Sequence, residues 1–582
     1  MTKLLLTGNE AIARGAYEAG VSLVTGYPGT PSTEIIEQAA SYDEICVEWA
    51  PNEKVALEVA IGASLAGARA MACMKHVGVN VAADPLLSGA YLGLRGGLVI
   101  VSADDPGAWS SQNEQDNRNY ARFAKIPLLE PSDSAECLQF TRLAFEISEQ
   151  FSTPVLVRTT TRISHTRTVV TTGTRHQPEQ SRFSLDLKPE ETVMVPAHAR
   201  RRHVVVEERL HRLRAYAEST PINRIEEGRG DTGFITAGIA YQYVREAFPQ
   251  APVLKLGMSW LLPLELIRRF ASCVSRLVVV EELDPFIDTE LRAAGFRVTG
   301  KELLPRCGEL SAQTLRSTLG GTVQQVPQPV QGLPPRPPVL CPGCPHRGVL
   351  YLLRRLKATV MGDIGCYTLG VNPPLSAIHS CTCMGAGIGH AHGMVQVLDP
   401  QLARRVVAVI GDSTFLHSGM TAVLNSTYNQ AALKLVVLDN GTTAMTGHQG
   451  HPGSGLDAKG RPAPRVAIEE VVSALGVRQV VVVDPYDLDA TREALEDMLE
   501  CAEPAVVVAR RPCVLLRGTE RRPPVEVDHH RCTGCRACLR LGCPALGFRD
   551  DVAVVDEELC NGCGLCVQVC GSEAMKAGDA QC

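Results

Sequence analysis

This 582-residue chain carries no overall excess of basic charge: 57 Lys and Arg stand against 63 Asp and Glu, a net charge of −6. That balance excludes the polycationic surface a nucleic acid needs as partner. Long apolar runs are missing as well. The N-terminus "MTKLLLTGNEAIARG" holds three leucines before polar residues return, too few for a signal-peptide core, and no run reaches the roughly 20 residues that span a bilayer. These absences predict a cytoplasmic protein with no membrane partner. Against an ordinary background of 45% hydrophobic and 21% charged residues, one residue type is abundant: there are 21 cysteines. Without an export signal they read as thiolate ligands in a reducing compartment rather than as disulfides.

Eight of those cysteines crowd the C-terminus, in "VDHHRCTGCRACLRLGCP" and "VDEELCNGCGLCVQVCG". The two segments share one frame, Val-Asp, three residues, then a cysteine run, which marks an internal repeat. The spacing Cys532, Cys535, Cys538, Cys543 and then Cys560, Cys563, Cys566, Cys570 resembles a bacterial two-cluster ferredoxin, in which the fourth cysteine of each run ligates the other cluster. The resemblance implies that Cys532, Cys535, Cys538 and Cys570 hold one [4Fe-4S] cluster, and Cys560, Cys563, Cys566 and Cys543 a second. Two departures stand out: four residues rather than three precede Cys543, and Gly571 occupies the usual proline position. A pair of zinc sites is the alternative, since zinc also takes C-x2-C pairs, but it has no use for a third cysteine at the next interval.

The rest of the chain alternates short apolar runs with helical stretches, the rhythm of parallel α/β sheets. Residues 1–165 contain "VSLVTGY", "GGLVIVSADDP" and "TPVLVRTT"; residues 166–185 are Thr-, Arg- and Gln-rich and read as a connector; residues 185–325 carry "TGFITAGIA" and "SRLVVVEELDP". The proline-dense "VPQPVQGLPPRPPVL" is a linker. Residues 339–515 form a third α/β unit and residues 523–582 the cysteine module. The expected fold class is therefore three doubly wound parallel-sheet domains followed by a ferredoxin-like α+β domain.

In the third unit "VVAVIGDSTFLHSGM" ends a strand at Gly411 and delivers Asp412, and "LKLVVLDNGTTAM" delivers Asn440. Ligands of doubly wound sheets collect beyond the carboxyl ends of strands, and a carboxylate with an amide oxygen suits Mg2+ bound to phosphate. Strand-end turn chemistry is the alternative for such a pair. The 28-residue separation resembles the thiamine diphosphate motif that begins Gly-Asp-Gly and ends in Asn; Ser413 stands where glycine is usual, and the backbone carbonyl of Thr442 would complete the protein ligands. In the first unit, "APNEKVALEVAIGASLAGARA" opens a helix at Glu53, the position from which thiamine diphosphate enzymes hydrogen-bond the pyrimidine ring. Glu58 is the second choice. "TGYPGTPSTEI" is a strand followed by a tight loop, with Thr30 as N-cap and Pro31 at the first helical position, a loop suited to a substrate mouth.

Taken in order, "TGYPGTPS", "NEKVALEVAIGASLAGARA", "CPGCPHR", "DIGCYTLG", "CMGAGIG", "GDSTFLHSGM", "DNGTTAMTGHQ" and the cysteine tail resemble the alpha subunits of indolepyruvate ferredoxin oxidoreductases, within the 2-oxoacid:ferredoxin oxidoreductases. The resemblance spans the whole chain. It implies a thiamine pyrimidine-binding domain over 1–165, a transketolase C-terminal-like domain over 185–325 and a diphosphate- and Mg-binding domain over 339–515. It further implies oxidative decarboxylation of an arylpyruvate such as indole-3-pyruvate with coenzyme A, electrons passing to ferredoxin. Another 2-oxoacid, branched-chain or phenylpyruvate, stays open, as do a non-oxidative thiamine decarboxylase and an electron-transfer adaptor. His417 and His448 are candidate cofactor contacts with Gly411, and Lys75 and His76 could meet the carboxylate, the diphosphate or the substrate ring. Cys381 and Cys383 read as packing. Cys341, Cys344, Cys366 and Cys513 follow the pattern of a third [4Fe-4S] cluster near the thiamine in related pyruvate enzymes. No "GGQG"-like loop is found, so the resemblance also implies a smaller gamma-type second subunit and a heterotetramer.

Overall fold

The computed structural model describes residues 2–177, 183, 185, 187–321, 332–334, 336–519 and 521–578. The chain divides into two compact units, residues 1–329 and 330–582. Much of the expected proline linker lies outside the described residues. Among the described residues no helix is long and apolar enough to cross a membrane.

The first unit is built on a seven-stranded sheet in the order Met258–Trp260, Leu128–Leu129, Val155–Thr160, Leu98–Asp104, Ala70–Lys75, Leu23–Gly26, Cys46–Trp49. All neighbours are parallel except the first pair. Leu98–Asp104 and Ala70–Lys75 are buried along their whole length, as expected of central parallel strands covered on both faces, and their sequences are near-continuous apolar runs for that reason. Leu23–Gly26 leads on to Cys46–Trp49 at one edge, whereas Ala70–Lys75 leads on to Leu98–Asp104 on the other side. The strand order therefore reverses between them, and the crevice of this sheet opens where Gly26 and Lys75 end.

A four-stranded sheet completes the unit, with Arg276–Val280, Thr232–Ala237 and Val253–Leu256 parallel and Asn223–Glu226 antiparallel. This second α/β stretch does not close on itself: just after Val253–Leu256 the chain crosses to the first sheet as Met258–Trp260. A buried ion pair links the two sheets: Arg118, 1% exposed, reaches Asp116 at 2.5 Å and Glu281, just after Arg276–Val280, at 2.6 Å. Within the first sheet Arg158 joins Asp104 at 2.7 Å to Glu130 at 2.6 Å. Charges this deep are tolerated only when so paired. Part of the expected connector is not irregular: Arg167–Thr172 pairs antiparallel with Thr2–Thr7. Its threonines and valines favour extended backbone, and its polarity hid that in the sequence.

The second unit carries a five-stranded, all-parallel sheet in the order Thr359–Met361, Val406–Gly411, Lys434–Asp439, Ala505–Arg510, Gln479–Val483. Gly411 lies opposite Leu438, and Asp439 opposite Arg510, so the residues that follow each strand emerge on one edge. The tail folds as two antiparallel pairs, Glu526–Val527 with Met575–Lys576 and Leu546–Arg549 with Val552–Val555. In each cysteine run the residue between the first two thiols must turn left-handed, and Gly534 and Gly562 do so at φ 68° each. The tail is tied to the sheet by Arg347, which is 2% exposed and donates to the carbonyls of Leu541 (2.7 Å) and Cys341 (3.0 Å).

Candidate active site and cysteine cavities

Asp412 is buried at the carboxyl edge of the five-stranded sheet. Its Oδ1 accepts from the Ser413 N–H at 2.8 Å, and Oδ2 from the N–H groups of Asn440 (3.1 Å) and Gly441 (2.7 Å). His451 Nε2 stands 3.2 Å from the same Oδ2. Burial alone would raise the Asp412 pKa, but His451 and these N–H donors hold it below the usual carboxylate range. Asn440 Oδ1 accepts from Thr442 N–H at 3.2 Å, and its amide nitrogen lies 3.4 Å from His346 Nε2. The Ser413 hydroxyl accepts from Thr443 Oγ1 at 2.9 Å, and Gly411 N–H donates to the buried Tyr367 hydroxyl at 2.9 Å. A buried, ionised carboxylate beside an amide oxygen is a hard-oxygen donor set of the kind Mg2+ takes together with phosphate. His417 is buried in the turn Phe415–Gly419 and bonded to the Ser418 hydroxyl.

The cysteines gather into three sets in this unit. Cys532, Cys535, Cys538 and Cys570 line one cavity. Cys543, Cys560, Cys563 and Cys566 line a second, together with Pro342, Gly343 and Arg347. These are the two interleaved sets of the repeat. Cys341 neighbours Cys344, Cys366 and Cys513, and Cys366 neighbours Cys344 and Cys513: burial, then Cys513 and Cys341, push the Cys366 thiol up to about 11, and burial pushes Cys344 up to about 12. Among the described residues no group of three or more His, Cys, Asp or Glu side chains stands in a metal-holding arrangement. Backbone N–H groups point at two sulfurs, Val525 at Cys560 (3.4 Å) and Ala553 at Cys532 (3.5 Å).

The third set touches the carboxylate site directly. Cys513 N–H donates to the Asn440 carbonyl at 3.0 Å. His448, expected at the cofactor, places Nε2 3.7 Å from Cys513 Sγ. Cys381 donates to the Asp363 carbonyl at 3.4 Å, and Cys383 is exposed.

In the first unit, Asn52 caps the helix Glu53–Leu65 by accepting from Val55 N–H at 2.9 Å, and Glu53 is 5% exposed. Glu58 is exposed and paired with Lys54. Gly78 makes the Glu53 position possible, since a Cβ there would lie 2.6 Å from Glu53 Oε1. Lys75 ends strand Ala70–Lys75 and His76 follows it; both are buried, Lys75 is pushed down to about 8 by burial, and His76 Nε2 lies 3.0 Å from Asn113 Oδ1.

Sequence reading missed three residues that shape the Asp412 edge. His451 takes an N–H from Gly453 on Nδ1 at 3.1 Å, which leaves Nε2 as the protonated nitrogen facing Asp412. His346 is buried and held neutral, down to about 4, so it accepts from the Asn440 amide. Asp363 accepts from Ile364 (2.8 Å), Gly385 (2.9 Å) and Gly387 (3.1 Å), fixing the glycine-rich loop, and burial still raises it to about 6. "HPGSG" and "CPHR" were the available signals, but a lone histidine in sequence shows no partner.

Three family models match the chain: "Pyruvate flavodoxin/ferredoxin oxidoreductase, thiamine diP-bdg" over residues 14–221, "Thiamine pyrophosphate enzyme, C-terminal TPP binding domain" over 363–509, and "4Fe-4S binding domain" over 553–576. The indolepyruvate oxidoreductase subunit IorA of Archaeoglobus fulgidus is 43% identical over 99% of this chain and 97% of its own. That of Methanothermobacter thermautotrophicus is also 43% identical, with the same shares covered. The 2-oxoglutarate synthase subunit KorA of the latter organism is 27% identical over 52% of this chain and 94% of its own. His451→Phe, which keeps the ring's bulk and removes Nε2, is expected to weaken Mg-dependent thiamine diphosphate binding about 10- to 100-fold. Equilibrium binding on the purified complex checks this; unchanged affinity would show that Asp412 needs no orientation from His451.

Proposed function

This chain belongs to the family of indolepyruvate oxidoreductase IorA subunits, and on that premise we propose that it is the catalytic alpha subunit of an indolepyruvate ferredoxin oxidoreductase. The reaction takes an arylpyruvate, indole-3-pyruvate, and coenzyme A to the arylacetyl-CoA, CO2, one proton and two electrons, which leave through iron-sulfur clusters to ferredoxin. The observation that carries the reading is the meeting, inside one folded unit, of the Asp412 edge with the cysteine sets: Cys513 is hydrogen-bonded to Asn440, and Pro342 and Gly343, between Cys341 and Cys344, line the cavity of Cys543, Cys560, Cys563 and Cys566.

Thiamine diphosphate, when bound, supplies the electron sink that a 2-oxoacid needs in order to lose CO2. The Asp412 carboxylate, the Asn440 side-chain oxygen and the Thr442 carbonyl would hold Mg2+ at the diphosphate, with Gly411, Ser413 and His417 lining the same end. Glu53 would keep a desolvated carboxylate for the pyrimidine ring. His448 would stand between this end and the cysteines, its Nε2 facing Cys513 Sγ. Cys341, Cys344, Cys366 and Cys513 would hold the cluster next to the thiamine; Cys560, Cys563, Cys566 and Cys543 the next; and Cys532, Cys535, Cys538 and Cys570 the outermost, where Cys535 is exposed. A cluster on the third set would serve electrons released singly, which need an acceptor nearer than the tail. A smaller gamma-type subunit would complete the enzyme as a heterotetramer.

An anaerobic screen of indolepyruvate, phenylpyruvate, pyruvate, 2-oxoglutarate and branched 2-oxoacids with coenzyme A and a viologen dye tests the substrate. Indolepyruvate is expected to give the highest kcat/KM, and Asp412→Ala to lose turnover while keeping the brown cluster absorbance. Turnover and thiamine content retained by that variant would refute the cofactor assignment. Iron analysis of anaerobically purified protein should give about 12 atoms per chain, falling by about 4 in Cys344→Ala. A value near 8 in both would remove the third cluster.

A further inference from the structure

Lys75 closes a strand that is buried along its whole length, and the residue is 8% exposed. A buried ammonium ordinarily faces a carboxylate. Lys75 does not: Nζ donates to the Ser110 carbonyl at 2.5 Å and reaches the Ser110 hydroxyl at 3.5 Å, both uncharged. The nearest carboxylate in its surroundings, Asp105, is committed elsewhere, accepting from Ser110 N–H (2.8 Å), the Ser111 hydroxyl (2.6 Å) and the Thr161 hydroxyl (2.8 Å). With three donors, one close carbonyl acceptor and one long hydroxyl contact on the same residue, the ammonium has hydrogen-bonding capacity and charge left over.

The place is as telling as the missing partner. Lys75 ends at the point where the strand order reverses, the crevice in which doubly wound sheets bind ligands. Its side chain runs beside Gly29, where an added Cβ would come 3.1 Å from Lys75 Cβ. Ser110, which holds Nζ, also donates from its hydroxyl to the Thr30 carbonyl at 3.3 Å. Three residues past Lys75, Gly78 packs on the Glu53 carboxylate. The loop after Gly26, Lys75 and Glu53 thus share one neighbourhood in the first unit.

We propose that Lys75 is the residue that binds the carboxylate of the 2-oxoacid substrate, the ammonium pairing with the carboxylate oxygens in this crevice. The assignment rests on the 2-oxoacid reading above. It has a mechanistic consequence. When the bond between the carboxylate carbon and the keto carbon breaks, its electron pair stays with the keto carbon and neutral CO2 departs, so the ion pair holds the substrate carboxylate alike up to that step. Such a contact serves binding more than the chemical step.

In the holoenzyme complex, Lys75→Gln is expected to raise KM for indole-3-pyruvate about 10- to 100-fold, with kcat changed less than about 3-fold and with iron and thiamine content unchanged. Lys75→Arg should restore most of the loss. A second measurement needs no turnover: the wild-type complex should bind indole-3-acetate more tightly than the neutral indole-3-acetamide, and Lys75→Gln should erase that preference while leaving the amide's affinity alone. A wild type with no preference for the acid, or a Lys75→Gln variant that weakens acid and amide alike, overturns the proposal and leaves Lys75 as a tether for the Ser110 loop. A preference that depends on Lys75 in a complex that turns over no arylpyruvate supports the carboxylate site and refutes the substrate named above.

Discussion

Strand register at one edge of the five-stranded sheet is the constraint on which the chemistry of the second unit depends. Gly411 opposite Leu438 and Asp439 opposite Arg510 bring Asp412, Asn440 and Cys513 out of the sheet together. A shift of one residue in any of these parallel pairs would turn its side chains to the other face. The Cys513 N–H to Asn440 carbonyl bond then couples a proposed metal ligand to a proposed cluster ligand through backbone alone, so their spacing does not depend on flexible side chains.

Around that edge the fold holds polar groups where water is excluded, and the surroundings of each set its state. Asp412 stays ionised because His451 and three backbone N–H groups outweigh the cost of burial. His346 stays neutral because nothing compensates its desolvation beyond the more distant Asp412. Fixed dipoles and fixed protonation states of this kind orient ligand-binding groups without reorganisation at the moment of reaction. In the first unit the same economy appears in Arg118 and Arg158, each neutralised by buried carboxylates, and its exception is Lys75.

Much of this was legible in the sequence, for physical reasons that differ between its parts. The tail announced itself because cluster ligands need thiols at fixed spacing and a left-handed glycine between them, and Gly534 and Gly562 supply it. Glu53 was separable from Glu58 by position in the helix, and burial agrees: the first is enclosed under Gly78, the second is in solvent with Lys54. What escaped was long-range. His451 lies 39 positions beyond Asp412, and His346 94 positions before Asn440, and no local pattern shows such pairs. The crossing of Met258–Trp260 into the first sheet was equally invisible, because a three-residue strand carries too little periodicity to declare which sheet it joins. The strand Arg167–Thr172 was read as a connector for its polarity, which an edge strand exposed on one face permits.

The central claim is that decarboxylation and cluster reduction are one process in this protein. The direct measurement is rapid-freeze electron paramagnetic resonance on the anaerobic complex loaded with thiamine diphosphate and mixed with indole-3-pyruvate, with CO2 release followed in parallel. The account predicts that a reduced [4Fe-4S] signal grows with CO2 release and is absent from complex stripped of thiamine diphosphate. Release of CO2 at full rate with every cluster still oxidised would contradict it and make the protein a non-oxidative decarboxylase.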